Sequence, residues 1–102
     1  MAAIQVTKNN FKEFQASTKP VLLDFYADWC GPCQMVSPLV EEIAEEHSEY
    51  TVGKVNVDAQ PELAAAFGVS SIPMLAVLKG GKVVSRAVGA RPKAAILEML
   101  QR

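Results

Sequence analysis

A helical repeat of apolar residues follows Cys33 and is the clearest element in the sequence. From Met35 to His47 the apolar side chains recur with the period of about 3.6 residues that one helix face requires. The members of this stripe are Met35, Val36, Leu39, Val40, Ile43, Ala44 and His47. Glutamates from Glu41 to Glu49 occupy other positions, and we expect them to be solvated. The pattern predicts an amphipathic helix with one buried face.

Five strands and three shorter helices are predicted around this helix. Val21 to Tyr26 is apolar except at Asp24, which is typical of a central strand covered on both faces. Gly80-Gly81 separates the runs Met74–Lys79 and Lys82–Val88 and predicts an antiparallel hairpin. The other elements are an edge strand from Ile4 to Val6, a helix capped by Asn9 or Asn10 that runs to about Ala16, a strand from Thr51 to Val57, a helix opened by Pro61 and closed by Gly68, and a helix opened by Pro92 that buries Ile96, Met99 and Leu100.

The predicted order, β-α-β-α-β-α-β-β-α, indicates an α/β fold. Early strand-helix-strand units require parallel pairing through right-handed crossovers, and the hairpin adds an antiparallel element. We therefore expect one domain, residues 1–102, built on a central mixed sheet of about five strands with helices on both faces.

Charge and hydropathy narrow the set of partners. Ten basic and eleven acidic residues give a formal net charge of −1, so nucleic acid is not expected to bind. The longest apolar run, Met74 to Leu78, is too short to span a membrane. The first residues, Met1 to Gln5, lack the features of a signal peptide. We expect a cytoplasmic monomer that binds neither nucleic acid nor membrane.

The segment Trp29-Cys30-Gly31-Pro32-Cys33 joins the central strand to the long helix and carries the candidate chemistry. A helix N-terminus offers free N–H groups and partial positive charge, which favour a thiolate at Cys30. Cys33 lies one helical turn further on, close enough to form a disulfide with Cys30. Pro32 suits a first helical turn and limits its motion. These features predict dithiol–disulfide redox chemistry.

Two other interpretations of the cysteine pair remain. The pair could form half of a zinc site, which would need further ligands. The sequence holds no other cysteine, and His47 is its one histidine. The two cysteines could also be inert core residues if neither thiol reacts, because buried cysteine is common.

The segment Phe25 to Cys33 strongly resembles the active-site segment of thioredoxins. Four further segments resemble thioredoxins in the same order, namely Val55-Asn56-Val57-Asp58, Phe67-Gly68-Val69, Ser71-Ile72-Pro73 and Val88-Gly89-Ala90. The resemblance covers nearly the whole chain. It implies a thioredoxin fold and a general protein-disulfide reductase, a thiol–disulfide oxidoreductase of the electron-carrier type.

The resemblance also implies a role for each residue at the dithiol. Cys30 would be the exposed nucleophile, and Cys33, more buried, would resolve the mixed disulfide. Asp24 would lie beneath the dithiol and take the proton from Cys33, with Lys54 nearby. Burial of a carboxylate would also raise its pKa. The alternatives are that Asp24 faces solvent and that Lys54 is a plain exposed strand lysine.

Partners and tuning residues follow from the same resemblance. Gly31 and Pro32, with Lys54, would tune the redox pair. A thioredoxin reductase would reduce the oxidised pair again, and any flavin or nicotinamide would belong to that partner, because this chain has no Gly-rich dinucleotide loop. We therefore expect no cofactor.

Gln34 stands where thioredoxins commonly carry Lys or Arg, which removes one positive charge near the dithiol.

The implied substrate surface takes disulfide-containing proteins in an extended form along Ile72 and Pro73. From sequence alone the Ile72-Pro73 bond would be trans, whereas thioredoxins carry a cis proline here. The apolar rim of this surface would be formed by Trp29, Gly31, Gly89 and Ala90, and Met74 would also contact the substrate. Gly89 is alternatively a simple strand terminator. Met74 replaces a common Thr, which predicts a more apolar groove.

The sequence is also compatible with two rival functions. A disulfide oxidase or isomerase uses the same chemistry, but Gly31-Pro32 and the missing signal peptide argue against it. A binding module would keep the fold and leave the dithiol idle.

Overall fold

The nine predicted elements occur in the predicted order. The computed structural model of the protein describes residues 3–102. Its elements are β1 (Ile4–Gln5), α1 (Phe11–Gln15), β2 (Val21–Tyr26), α2 (Gly31–Glu46), β3 (Thr51–Asn56), α3 (Pro61–Ala66), β4 (Met74–Lys79), β5 (Lys82–Val88) and α4 (Lys93–Gln101). None of the helices within residues 3–102 is long and apolar enough to cross a membrane.

The strands form one mixed sheet in the order β1-β3-β2-β4-β5. β3 pairs in parallel with both β1 and β2, as the strand-helix-strand units require. β4 pairs antiparallel with β2 and β5. The turn between β4 and β5 uses Gly80 and Gly81 at φ values of 60° and 79°, the left-handed backbone that a two-residue hairpin turn needs. The expected mixed sheet and hairpin are confirmed.

The central strand β2 divides the interior into two cores. Leu22 packs with side chains of α2 and α4, whereas Leu23 and Phe25 pack with those of α1 and α3. Because alternate strand residues point to opposite faces, Asp24 shares the face of Leu22 and lies under α2. Both faces of β2 are covered, which explains its nearly continuous apolar sequence.

The buried face of α2 is narrower than the predicted stripe. Its buried residues are Cys33, Val36, Val40 and Ile43. Met35 is 70% exposed, so its place in the buried stripe was wrong. The reason is geometric: Met35 lies two residues after Cys33, about 200° around the helix from the side that contacts the sheet.

Two predicted helix starts also differ in detail. Asn10 occupies the N-cap position of α1, but its side chain accepts the Thr7 N–H at 2.8 Å and makes no cap bond. Pro92 is the N-cap of α4 and has extended backbone, so the helix begins at Lys93. The inner face of α4, formed by Ile96, Met99 and Leu100, is buried as predicted.

Candidate active site

Cys30 and Cys33 are joined by a disulfide where β2 leads into α2. Their Cα atoms are 5.3 Å apart, within the usual range for a disulfide. Cys30 has extended backbone and is the N-cap residue of the helix, while Cys33 lies in its first turn. The predicted placement of the pair at a helix N-terminus is confirmed.

The N-terminus of α2 places a backbone N–H donor against the Cys30 sulfur. The backbone N–H of Cys33 donates to Cys30 Sγ at 3.2 Å, in place of the usual side-chain oxygen cap. Gly31 and Pro32, both exposed, begin the helix, and Pro32 stands where no backbone donor is needed. After reduction, this N–H and the helix dipole stabilise negative charge on Cys30.

The disulfide lies below the surface. Cys30 is 4% exposed and Cys33 is 2% exposed, so the expectation of an exposed Cys30 is wrong for the oxidised protein. Side chains around the pair, including that of Ile72, pack against it, and the Ile72 carbonyl oxygen is 3.9 Å from Cys30 Sγ. Trp29, at 71% exposure, presents the large apolar surface beside the pair.

Asp24 is fully buried beneath α2, and the alternative in which it faces solvent is wrong. Neither of its carboxyl oxygens has a hydrogen-bond partner among residues 3–102. Burial raises the pKa of Asp24 from 3.8 to about 7; the charge of Lys54 opposes this change and that of Glu41 adds to it. Such a group can hold or release a proton near neutral pH.

Lys54 is the register partner of Asp24 on β3, but its ammonium turns toward α2. Lys54 Nζ donates to Ser37 Oγ at 2.5 Å and lies 3.9 Å from Glu41 Oε2. It also lies 4.8 Å from the centre of the Tyr26 ring. The lysine side chain is 13% exposed, so the alternative of a plain exposed lysine is wrong.

A cleft of about 180 Å³ connects this lysine to the dithiol. Cys33, Ser37 and Lys54 all line it. Sequence analysis missed Ser37 and Glu41, and it placed Glu41 on a solvated face. The spacing of these residues could have indicated their place, because Cys33, Ser37 and Glu41 follow one another at intervals of four residues along one helix face.

The loop before β4 meets the loop after β5 beside the disulfide. The Ile72-Pro73 bond is cis, as the family resemblance implied and against the expectation from sequence alone. The Pro73 carbonyl accepts the Gly89 N–H at 2.8 Å. Gly89 directly follows β5 and has a φ of 98°, and Ala90 next to it is exposed. The Gly89 conformation suits glycine because no Cβ is present.

Met74 does not line a surface groove through its side chain. It is 1% exposed and packs in the core beside α1 and α3, with its sulfur 3.4 Å from an Arg86 nitrogen. The expectation of an apolar groove residue is therefore corrected. As the first residue of β4, Met74 points its side chain into a sheet face that helices cover.

Trp29 is fixed by a partner that sequence analysis did not identify. Its indole N–H donates to Asp58 Oδ2 at 2.8 Å. Asn56 Oδ1 accepts the N–H groups of Asp58 and Ala59, which orders this loop. Gln34 is exposed, and its amide nitrogen is 3.5 Å from the Asp28 carbonyl.

A metal ion needs several donor side chains around one point. Within residues 3–102, no group of three or more His, Cys, Asp and Glu side chains is placed to hold a metal ion. The zinc interpretation of the cysteine pair therefore gains no support from the geometry.

Comparison with known proteins gives one consistent family. The thioredoxin family model matches residues 2–102. A thioredoxin from Mycobacterium bovis is 52% identical over 101 residues, which cover 97% of this chain and 87% of that protein. A bifunctional thioredoxin reductase/thioredoxin from Mycobacterium leprae is 50% identical over 99 residues, which cover 95% of this chain and 22% of that protein. A solved structure of a mutant thioredoxin from Halobacterium salinarum matches with a TM-score of 0.90 and 36% identity, over 97% of this chain and 88% of that one.

Proposed function

Because this chain belongs to the thioredoxin family, we propose that Cys30 is the nucleophile and Cys33 the resolving thiol of its reaction. The chain is a thiol–disulfide oxidoreductase that works as a protein-disulfide reductase. The observation that carries the assignment is the hydrogen bond from the Cys33 N–H to Cys30 Sγ at the start of α2. Cys30 receives this stabilisation and Cys33 supplies it, so the two thiols differ in acidity.

The reaction starts from the reduced dithiol and transfers two electrons. The Cys30 thiolate attacks one sulfur of a substrate disulfide, forms a mixed disulfide and expels the other substrate sulfur as a thiolate. Cys33 then loses its proton and attacks Cys30 Sγ. The mixed disulfide breaks, the second substrate sulfur leaves as a thiolate, and the Cys30–Cys33 disulfide forms. The structure holds this oxidised pair.

Asp24 is proposed to accept the proton that Cys33 loses in the second step. Its pKa of about 7 is suited to a general base near neutral pH. Cys33 and Lys54, the register partner of Asp24 on β3, both line one cleft, which supports a place for Asp24 close to the resolving thiol. The first step does not need this base, because Cys30 is stabilised as a thiolate by the helix terminus.

The proposed substrate surface lies around the disulfide. Exposed Trp29 directly precedes Cys30, and Gly89, followed by exposed Ala90, bonds to the Pro73 carbonyl. The loop at Ile72 and Pro73 is the backbone on which an extended substrate segment is proposed to pair. Gly89 leaves this edge free of a side chain. Disulfide-containing proteins are the proposed substrates.

A thioredoxin reductase is the proposed electron donor. The relative from Mycobacterium leprae joins a thioredoxin reductase and a thioredoxin in one chain, which supports such a partnership. We also propose that residues 1–102 act as a single thioredoxin domain, as a monomer in the cytoplasm, where a reducing environment would supply the dithiol form.

Trapping of the mixed disulfide tests the thiol assignment. Cys33→Ser should accumulate a mixed disulfide with a protein substrate, and Cys30→Ser, its matched control, should form none. Equal trapping by both variants would overturn the assignment. A measurement of the reduction potential separates the two chemistries. A reductase should have a value of about −270 mV, as thioredoxins do, and a strong oxidant a value of about −120 mV.

A further inference from the structure

Ser37 and Glu41 form a small polar cluster with Lys54 that the reaction steps above do not use. Lys54 Nζ bonds to Ser37 Oγ at 2.5 Å, and its ion pair, at 3.9 Å, is with Glu41. The second oxygen of Glu41, Oε1, accepts the backbone N–H of Ala3 at 3.1 Å, which fixes the carboxylate. The ammonium is therefore anchored to α2 at two points.

The same cluster adjoins the proposed proton-transfer pair. Ser37 and Lys54 line the cleft that Cys33 also lines. Lys54 is the register partner of Asp24 on the neighbouring strand, yet the Asp24 oxygens have no hydrogen-bond partner among residues 3–102. The Lys54 ammonium bonds to Ser37 and pairs with Glu41 instead of pairing with the Asp24 carboxyl group, on which its charge still acts.

We propose that Ser37 is a positioning residue for the thiol chemistry: with Glu41, it holds the Lys54 ammonium away from Asp24, so that the carboxyl group can still exchange a proton with Cys33. The role of the cluster in the reaction rests on the proposed function, because it requires Asp24 to act as the base. The anchoring itself is a property of the folded protein and can be measured separately.

The charges that face Asp24 decide the direction of the effect. They are Lys54 from β3 and Glu41 from α2; the flanking β4 partner of Asp24, Leu75, is apolar. A cation that approaches a buried carboxylate favours its charged form and lowers its pKa. Release of Lys54 from Ser37 would let the ammonium approach Asp24, and the carboxyl group would lose its proton at a lower pH.

The test is an NMR titration of the Asp24 side-chain carboxyl carbon in the oxidised protein. In Ser37→Ala we expect the titration midpoint to fall by roughly one pH unit, the lower end of the effect of a close opposite charge. Ser37→Thr, which keeps the hydroxyl group, should retain the wild-type midpoint. Ser37→Ala combined with Lys54→Met should match Lys54→Met alone, because the cation through which Ser37 acts is gone. Alanine is a strong helix former, so these changes in α2 are compatible with folding.

Two results would overturn the proposal. One is a midpoint in Ser37→Ala that stays constant or rises. The other is an equal fall in the Lys54→Met background, which would show that Ser37 does not act through Lys54. Because the oxidised protein has no free thiol, this titration does not depend on Asp24 being the base. A failure of the thiol assignment would instead appear in the trapping of the Cys33→Ser variant, which the titration does not use.

Discussion

Asp24 and Lys54 are register partners on parallel strands, yet their charged groups do not pair. The lysine bonds to Ser37 and Glu41 on α2, and both Asp24 oxygens are without a hydrogen-bond partner within residues 3–102. The aspartate therefore keeps most of the cost of burial, which the nearby cation offsets only in part. Burial of the carboxyl group is therefore the cause both of the raised pKa of Asp24 and of its cost to folding stability.

This relationship predicts that Asp24→Asn stabilises the oxidised protein at neutral and alkaline pH. Asp24 ionises near 3.8 when unfolded and near 7 when folded, so between these values the folded state holds one more proton and stability falls as pH rises. The full change corresponds to roughly 4 kcal/mol above pH 7. The protonated carboxyl group and the amide of Asn are both buried polar groups without a partner, so their desolvation costs nearly cancel and we expect a gain of roughly 3–4 kcal/mol.

Urea melts of wild type and Asp24→Asn at about pH 8 and about pH 4 measure this gain and its pH dependence. The acidic condition is the control, because the wild-type carboxyl group is then protonated in the folded state and the advantage of Asn should disappear. A variant that is much less stable at both pH values would show that Asp24 is a structural partner rather than a destabilised base.

The same substitution should slow one chemical step. Without a base near Cys33, the mixed disulfide should resolve roughly 100-fold more slowly at neutral pH, the lower end of general-base effects. The initial attack by Cys30 should change little, because the helix terminus stabilises its thiolate. Rapid-quench kinetics resolve both steps. In wild type, the resolution rate should rise with pH through a midpoint near 7, as Asp24 becomes a carboxylate. An unchanged resolution rate in Asp24→Asn would exclude this base.

Much of this fold follows from local sequence patterns. The central strand can be predicted because both of its faces are buried, which requires a continuous apolar run. Asp24 is the single carboxylate in that run. The hairpin can be predicted because Gly80 and Gly81 supply the two residues with left-handed backbone that its turn needs.

Other parts of the site depend on tertiary contacts that no local pattern encodes. Glu41 resembles its solvated neighbours along α2, and only the position of β3 and of the residue before β1 brings Lys54 and the Ala3 N–H to it. Met74 was misplaced because β4, like β2, is buried on both faces, so no alternation shows which way a side chain points. The cis bond at Pro73 came from the family resemblance, since most X-Pro bonds are trans.

The burial of Met74 predicts that its exchange affects stability more than substrate choice. Met74→Thr removes core volume and places a hydroxyl group among apolar side chains, which should cost about 1–3 kcal/mol. Met74→Leu, the volume-matched control, should cost less than about 1.5 kcal/mol. Urea melts measure both variants, and reduction rates for two protein substrates should keep their wild-type ratio. A changed ratio with unchanged stability would place the side chain at the substrate surface after all.

The last prediction concerns Gln34, an exposed residue directly after Cys33. Gln34→Lys adds a cation beside the dithiol, which should lower the pKa of the Cys30 thiol and favour its thiolate. The effect should be small because solvent and salt screen an exposed charge, so we expect alkylation of reduced Cys30 by iodoacetamide at mildly acidic pH to be roughly two-fold faster. Gln34→Met changes the side chain without adding charge and should react like wild type. In about 1 M salt the difference between Lys and Met should vanish, because the screening length falls to about 3 Å. An equal acceleration in both variants, or one that persists in high salt, would mean that packing near Asp28, rather than charge, controls the thiol.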